Sequence, residues 1–461
     1  MKYFGLLLLS LFVIGCQDQP DKNNLFFGGE IINPKSNVVL LMQHEKVIDS
    51  LFIALDNTFG KRIADVKPGL YYFKHAYEFQ YLYLEPKDSI RIRLNTWDFD
   101  ETLVFDGLGS EKNELLLDLF LINEKEADIF YTYFSLDEKS FETKINDALK
   151  RHSNYLEQLK ETNQKLSKNF LHLAQGAINY PIYRLKELYP FYHKKSLVKD
   201  SVFKLSKNYY DFRKNIDLND SLLAGYYAYQ NYISAHLYNV ALQKSHNNKF
   251  DTKFRDTLIH LITEKIELPE LKNRLIYQEV LNMLFGGSSD INKDQLQTFY
   301  NNSTDSIAIS TIKSIVEAKQ KMQIGAEISD FELQSPQKEM HSLKEVIQDK
   351  NAVIYFLPPT FVSNDYLHKR VKYLIKKYPE VNFVGIYANV PNKHQPIMRK
   401  LANQYFLADN TRSDDLFSEK YPRAILVNTK GKVVTNYTLL TNKNIDSQIV
   451  NLINSATTTK E

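Results

Sequence analysis

The chain of 461 residues has a single cysteine, Cys16. Without a second thiol no intrachain disulfide can form, which excludes a disulfide-stapled framework. The chain also lacks a bias of charge. Its 58 Lys and Arg stand against 55 Asp and Glu, a formal charge of +3. Nucleic-acid binders usually carry a basic excess or stripe, so no nucleic-acid partner is expected. No apolar run reaches the roughly 20 residues of a membrane-spanning helix.

Metal, phosphate and hydrolase signatures are missing too. None of the eleven His residues stands two to four positions from another, so there is no local zinc pair and no His-Glu-x-x-His. No Gly-x-x-x-x-Gly-Lys-Ser/Thr loop and no Gly-x-Ser-x-Gly elbow occurs. Gly107-Leu-Gly109 falls short of a dinucleotide fingerprint. Asp98, Asp100 and Glu101 crowd three carboxylates without EF-hand spacing and read as a solvated turn. No cofactor and no metal is expected. A hydrophobic share of 43% with 25% charged residues fits a globular chain and excludes a disordered one.

At the N-terminus Lys2 precedes an apolar run from Tyr3 to Ile14, the length of a signal-peptide core, and Val13-Ile14-Gly15-Cys16 follows. This stretch resembles the lipobox of bacterial lipoproteins. The resemblance implies a signal peptide at 1–15 and lipidation of Cys16 as the mature N-terminus. Residues 16–24 are polar and aperiodic and read as a flexible tether. Losing residues 1–15 removes one cation, Lys2, and leaves +2. Lipid chains on Cys16 would make the membrane a partner without a spanning segment. The expected place is the cell envelope, at the periplasmic face of the outer membrane or the cell surface. Acylation would also leave the mature chain without a free thiol.

The rest of the chain reads as three regions, a multidomain protein. Residues 25–106 carry short strands with turn residues every 8–15 positions, which predicts an antiparallel β-sandwich. In Ser89–Leu94 the apolar Ile90, Ile92 and Leu94 alternate with Arg91 and Arg93, the pattern of a half-buried antiparallel strand. Gly29-Glu-Ile-Ile-Asn-Pro34, Leu84-Glu-Pro-Lys-Asp-Ser89 and Leu94-Asn-Thr-Trp-Asp-Phe-Asp-Glu101 resemble a β-domain at the N-terminus of many Bacteroidota-type lipoproteins, a family with no established activity. Residues 107–322 predict an all-α region, with helices over 111–126, 139–165, 167–188, 197–214, 219–244, 251–266, 269–285, 292–301 and 305–322. This region is rich in Tyr, which reads as a helical core with phenol groups at its rim.

Residues 323–461 predict an α/β domain: strands at 352–357, 382–387 and 421–428, helices at 367–378, 396–405 and 444–455, and a hairpin through Lys430-Gly431. This order, with Val353-Ile-Tyr-Phe-Leu357, Tyr378-Pro-Glu-Val-Asn-Phe-Val-Gly-Ile386, Tyr421-Pro422 and Lys430-Gly-Lys-Val433, resembles the thioredoxin-like domain of thiol-disulfide oxidoreductases of the TlpA/ResA kind. The family's chemistry needs Cys-x-x-Cys at a helix start, where the first thiol's pKa is lowered. Its two positions fall near Phe361 and Asn364, and neither side chain can do thiol chemistry. The resemblance therefore implies the scaffold without the reaction. What remains is a groove that Phe361, Tyr366, Tyr421 and Pro422 could line, with Ser363 and Asn364 at the helix start. Pro422, if cis, would free the preceding backbone to pair with an extended peptide.

The expected function is a lipid-anchored envelope protein with a redox-inactive binding or interaction module for a peptide or protein partner. Two alternatives stand beside it. One is an enzyme with a non-thiol site in the helical region. The other is an accessory lipoprotein for nutrient capture at the outer membrane.

Overall fold

The computed structural model describes residues 24–163, 165–196, 204–245, 252–285, 291–357, 365–387, 401, 403–407 and 423–457. Between Asn239 and Val240 the chain divides into two compact units.

The first unit opens with β1 (Leu25–Ile32), β2 (Val38–Gln43), β3 (Lys46–Phe52), β4 (Thr58–Ile63), β5 (Gly69–His75), β6 (Glu78–Leu84), β7 (Ser89–Asn95), the short helix α1 (Phe99–Thr102) and β8 (Val104–Leu108). They form two four-stranded sheets, β4-β1-β7-β8 and β3-β2-β5-β6. Both sheets contribute to one buried cluster, in which Phe27, Ile31 and Ile90 meet Val39, Phe73 and Leu82. Phe73 stacks on Phe99 at 5.7 Å, so α1 seals the cluster. Along β7 the expected alternation holds, with Ile90, Ile92 and Leu94 buried and Arg91 and Arg93 exposed.

The pairing is not purely antiparallel, which corrects the expectation: β1 and β7 run parallel. Alternation fixes the buried face of a strand but not the direction of its neighbour. Gly29 makes the close approach of these two strands feasible, because a Cβ there would lie 1.9 Å from the Ile92 carbonyl oxygen.

Four helices follow in the chain: α2 (Ser110–Tyr133), α3 (Glu138–Thr162), α4 (Lys168–Ser196) and α5 (Tyr227–Lys244), the last running across the division. The start of α2 is tied to the β6–β7 turn. Lys112 Nζ lies 2.7 Å from Glu85 Oε2 and 3.0 Å from Asp88 Oδ2. Gly109, at φ +88°, precedes the helix where a Cβ would meet Asp88 Oδ1 at 2.4 Å. Two expected helices are corrected. Of the one over 197–214, residues 204–210 are loop and turn, and Asp211–Asn215 is a short 3-10 helix. Tertiary bonds hold this stretch, with Ser206 N donating to Glu138 and Tyr209 Oη donating to the Lys186 carbonyl. Residues 219–226 are likewise not helical: they run as turns, to which α5 reaches back, with Tyr229 Oη donating to the Asp217 carbonyl and Gln230 Nε2 to the Ala224 carbonyl.

In the second unit the end of α5 is followed by α6 (Thr252–Lys265), α7 (Pro269–Phe285), α8 (Lys293–Asn302) and α9 (Ser306–Lys321). Pro269 starts α7, a position where its missing N–H costs nothing. Asn292 and Asp305 cap α8 and α9 through paired side-chain bonds to backbone amides. Next come β9 (Glu332–Gln334), β10 (Met340–Ser342), α10 (Leu343–Ile347), β11 (Ala352–Leu357), α11 (Asp365–Lys377), β12 (Asn382–Tyr387), β13 (Gln404–Leu407), β14 (Arg423–Val427), β15 (Val433–Thr438) and α12 (Ile445–Thr457). The seven strands form one sheet in the order β10-β9-β13-β12-β11-β14-β15.

The helix expected over 396–405 is corrected at its end: Gln404 and Tyr405 belong to β13, paired parallel to β12. Residues 396–400 lie outside the described ones. All six residues of β11 are buried, as a strand covered on both faces requires. Leu367, Val371, Ile445 and Ile449 pack on one face. Leu343 and Ile347 pack on the other.

Two of the preceding helices are built into this sheet. Phe285, at the end of α7, stacks on Tyr437 of β15 at 5.5 Å. The last carbonyls of α9 are taken by side chains of β14 and β15. Asn436 Nδ2 donates to the Lys319 and Met322 oxygens, and Arg423 donates to that of Ala318.

Candidate functional site

The segment expected to form the groove lies between the end of β11 at Leu357 and the start of α11. Of the six residues expected there, Phe361, Ser363, Asn364, Tyr421 and Pro422 fall outside the described residues, as does Cys16. Tyr366 is described. It sits in the first turn of α11 and is 65% exposed. Arg423, which follows Pro422, is buried, with its guanidinium over the Tyr437 ring and donating to the Asn436 carbonyl at 2.8 Å. At the corresponding end of β12, the buried Tyr387 hydroxyl has no hydrogen-bond partner among the described residues.

The densest chemical cluster is one that sequence reasoning missed. Glu187 of α4 has a fully buried side chain. Its Oε1 accepts from Arg213 Nε at 2.7 Å and His236 Nδ1 at 2.9 Å. Its Oε2 accepts from Arg213 Nη2 and from Asn239 Nδ2, the latter at 2.7 Å. A carboxylate only accepts, so His236 carries its proton on Nδ1. Arg213 also stacks 3.8 Å over Tyr210. Burial pushes the Glu187 carboxyl up, but the bonds from His236 and Arg213 outweigh it and hold the group below its ordinary value. Tyr232 stacks beside His236, Tyr180 packs on both Tyr232 and Tyr229, and burial drives the three hydroxyls above the ordinary phenol range. The four members of the cluster span positions 187 to 239 and form no motif, so no sequence signal announced it.

Chemically, this cluster is closed. Four donors fill the acceptor directions of the carboxylate, leaving none to accept a substrate proton. Its work is to join α4, α5 and the 3-10 turn. The alternative of an enzyme site in the helical region gains nothing from it.

In the second unit a helix links the parallel pair β11 and β12, β14 and β15 follow antiparallel, and α12 closes the order. This is the order expected from the sequence for a thioredoxin-like domain. Among solved structures, a domain of a possible thiol-disulfide isomerase from Cytophaga hutchinsonii is similar at 11% identity and a TM-score of 0.26, covering 30% of this chain and 97% of that one. The thioredoxin domain of a thiol-disulfide oxidoreductase from Bacteroides vulgatus is similar at 17% identity and a TM-score of 0.24, covering 28% of this chain and 99% of that one. No family model and no curated protein matches the chain. No helix among the described residues is long and apolar enough to cross a membrane.

Proposed function

We propose that the chain is a lipid-anchored protein of the cell envelope whose thioredoxin-like domain is redox-inactive and serves as a binding module for a peptide or protein. In this reading residues 1–15 are a signal peptide, 16–24 a tether and 25–106 a β-sandwich. One observation carries the proposal: a thioredoxin-like sheet stands in a chain whose only cysteine is residue 16. Disulfide exchange needs an attacking thiolate and a resolving thiol, and a lipid on Cys16 would remove the only sulfhydryl. The scaffold would then be kept for its surface, where exposed Tyr366 stands at the head of α11.

Two measurements test this. Cys16→Ser should move the protein from the detergent phase to the aqueous phase in a phase-partition assay; unchanged partition would remove the anchor. Capture from solubilised envelope, with the full chain and a Phe361→Ala/Tyr421→Ala variant as paired baits, should yield a partner that the variant loses. A partner held equally by both baits, or none, would place the binding function elsewhere.

A further inference from the structure

An open cleft of about 280 Å³ lies in the second unit, formed by α6, α7 and the β15–α12 loop. It shares no residue with the expected groove. Two cations line it, Arg255 from α6 and Lys443 from the loop. Among the described residues neither one makes an ion pair. Glu279 is the carboxyl near both, and burial pushes it toward its neutral form while the two cations pull the other way. Two cations against one carboxyl leave the local balance positive whichever form Glu279 takes.

Amide side chains add to the polar wall, Gln278 and Asn282 from α7 and Asn444 from the loop, beside the Thr441 hydroxyl. The Gln278–Asn282 and Asn282–Glu279 hydrogen bonds are both 3.4 Å long, at the weak end, so a ligand could replace them at little cost. Leu281 and Phe285 add an apolar patch. The loop is held in place from behind, since Asn442 Nδ2 donates to the Phe285 carbonyl at 2.6 Å while its Oδ1 accepts from the Asn444 amide at 3.0 Å.

Each part of this wall selects for a chemistry. Guanidinium and ammonium groups recognise a carboxylate or phosphate. Amides both donate and accept, which matches hydroxyl groups. An apolar patch suits the C–H face of a ring. The volume is at the lower end of ligand pockets, which run from about 300 Å³ upward, and suits a single ring. We propose that this cleft binds a monosaccharide-sized anion, a sugar acid or a sugar phosphate, with Arg255 and Lys443 holding the anionic group and the amides reading the hydroxyls.

Calorimetric titration of the detergent-solubilised full chain at low salt tests this, with glucuronate, glucose 6-phosphate, glucose and inorganic phosphate as probes. Saturable binding is expected for glucuronate or glucose 6-phosphate, and the tighter of the two identifies the anionic group. Glucose and inorganic phosphate should each bind at least about tenfold more weakly, a difference of about 1.4 kcal/mol. Arg255→Gln and Lys443→Gln should each weaken the preferred probe by about tenfold. Gln278→Leu, on the exposed side of α7 and without a charge change, should weaken it severalfold and serves as a check should a cation variant misfold. The proposal is overturned if neither sugar anion saturates, if glucose or phosphate alone binds as tightly, or if the variants bind like the parent.

Discussion

Glu187 and Lys319 show how differently two buried charges can be held. The Glu187 carboxylate has four donors around it. Its partner Arg213 is only 18% exposed, so it could not recover solvation if the carboxylate were lost. Glu187→Gln keeps the shape but leaves that guanidinium without its counter-charge. Breaking a buried pair in this way costs about 3 kcal/mol, and urea unfolding should show it; a loss below about 0.5 kcal/mol would mean that the network contributes nothing to stability. Lys319 of α9 has no carboxylate partner among the described residues. It is 4% exposed, its Nζ donates to the Leu284 carbonyl at 2.7 Å, and burial, helped by the nearby Arg423 charge, lowers its pKa from 10.5 to about 8. Between pH 8 and 10.5 the unfolded chain keeps this proton and the folded chain does not, so Lys319's contribution to stability rises with pH across that window. It is lost again as the pH falls toward 8. Lys319→Met removes the effect. The stability difference between the variant and the parent should therefore change by up to about 3 kcal/mol over this window, with the parent gaining as the pH rises. Parallel pH profiles for the two proteins would show that Lys319 keeps an ordinary pKa.

At the level of elements, the legible parts of the sequence were those in which a local pattern and the tertiary environment agree. The alternation in β7 gave its buried face, and the apolar runs gave β11 and β12. Signals that depend on distant partners were not legible. The direction of β1 against β7 depends on Gly29 passing the Ile92 carbonyl. The turns over 219–226 depend on Tyr229 and Gln230 of α5 reaching back to the Asp217 and Ala224 carbonyls. Strand β13 depends on pairing with β12. The Glu187 cluster was invisible for the same reason, since its members come from three separate elements. The end of α9 is another case. Asn436, on β15 and more than a hundred residues further on, donates to the Lys319 oxygen at 2.9 Å and the Met322 oxygen at 2.8 Å. Asn436→Ala leaves two carbonyls at a helix end without these donors, in a largely buried place, which should cost about 2 kcal/mol. Hydrogen exchange should then rise in the last turn of α9 before it rises in β11. Uniform acceleration across the unit would mean that Asn436 acts on the sheet and not on the helix end.

For the whole molecule, the informative boundary is the one between residues 322 and 323. Composition and period both change there, from helices to alternating strand and helix, and on that basis residues 323–461 form a domain of their own. The packing of the second unit argues for a longer cooperative piece. Phe285 stacks on Tyr437, Lys319 reaches the Leu284 carbonyl, and Asn442 and Gln448 both donate to the Phe285 carbonyl. Tyr437 and Thr438 of β15 are fully buried in the presence of these helices. A fragment that starts at 323 loses α7 and α9 and uncovers that face of the sheet. Truncating one buried aromatic contact costs about 3 kcal/mol or more, against a total stability of about 5–15 kcal/mol for a typical domain. Fragment 323–461 should therefore unfold at a clearly lower urea concentration than fragment 246–461 and bind a hydrophobic dye before unfolding. Lys319→Met should still alter the pH dependence of the longer fragment. If the two fragments unfold at the same urea concentration, the helices are only an attachment to a self-sufficient thioredoxin-like domain, and the change in sequence pattern marks the true edge of the folding unit.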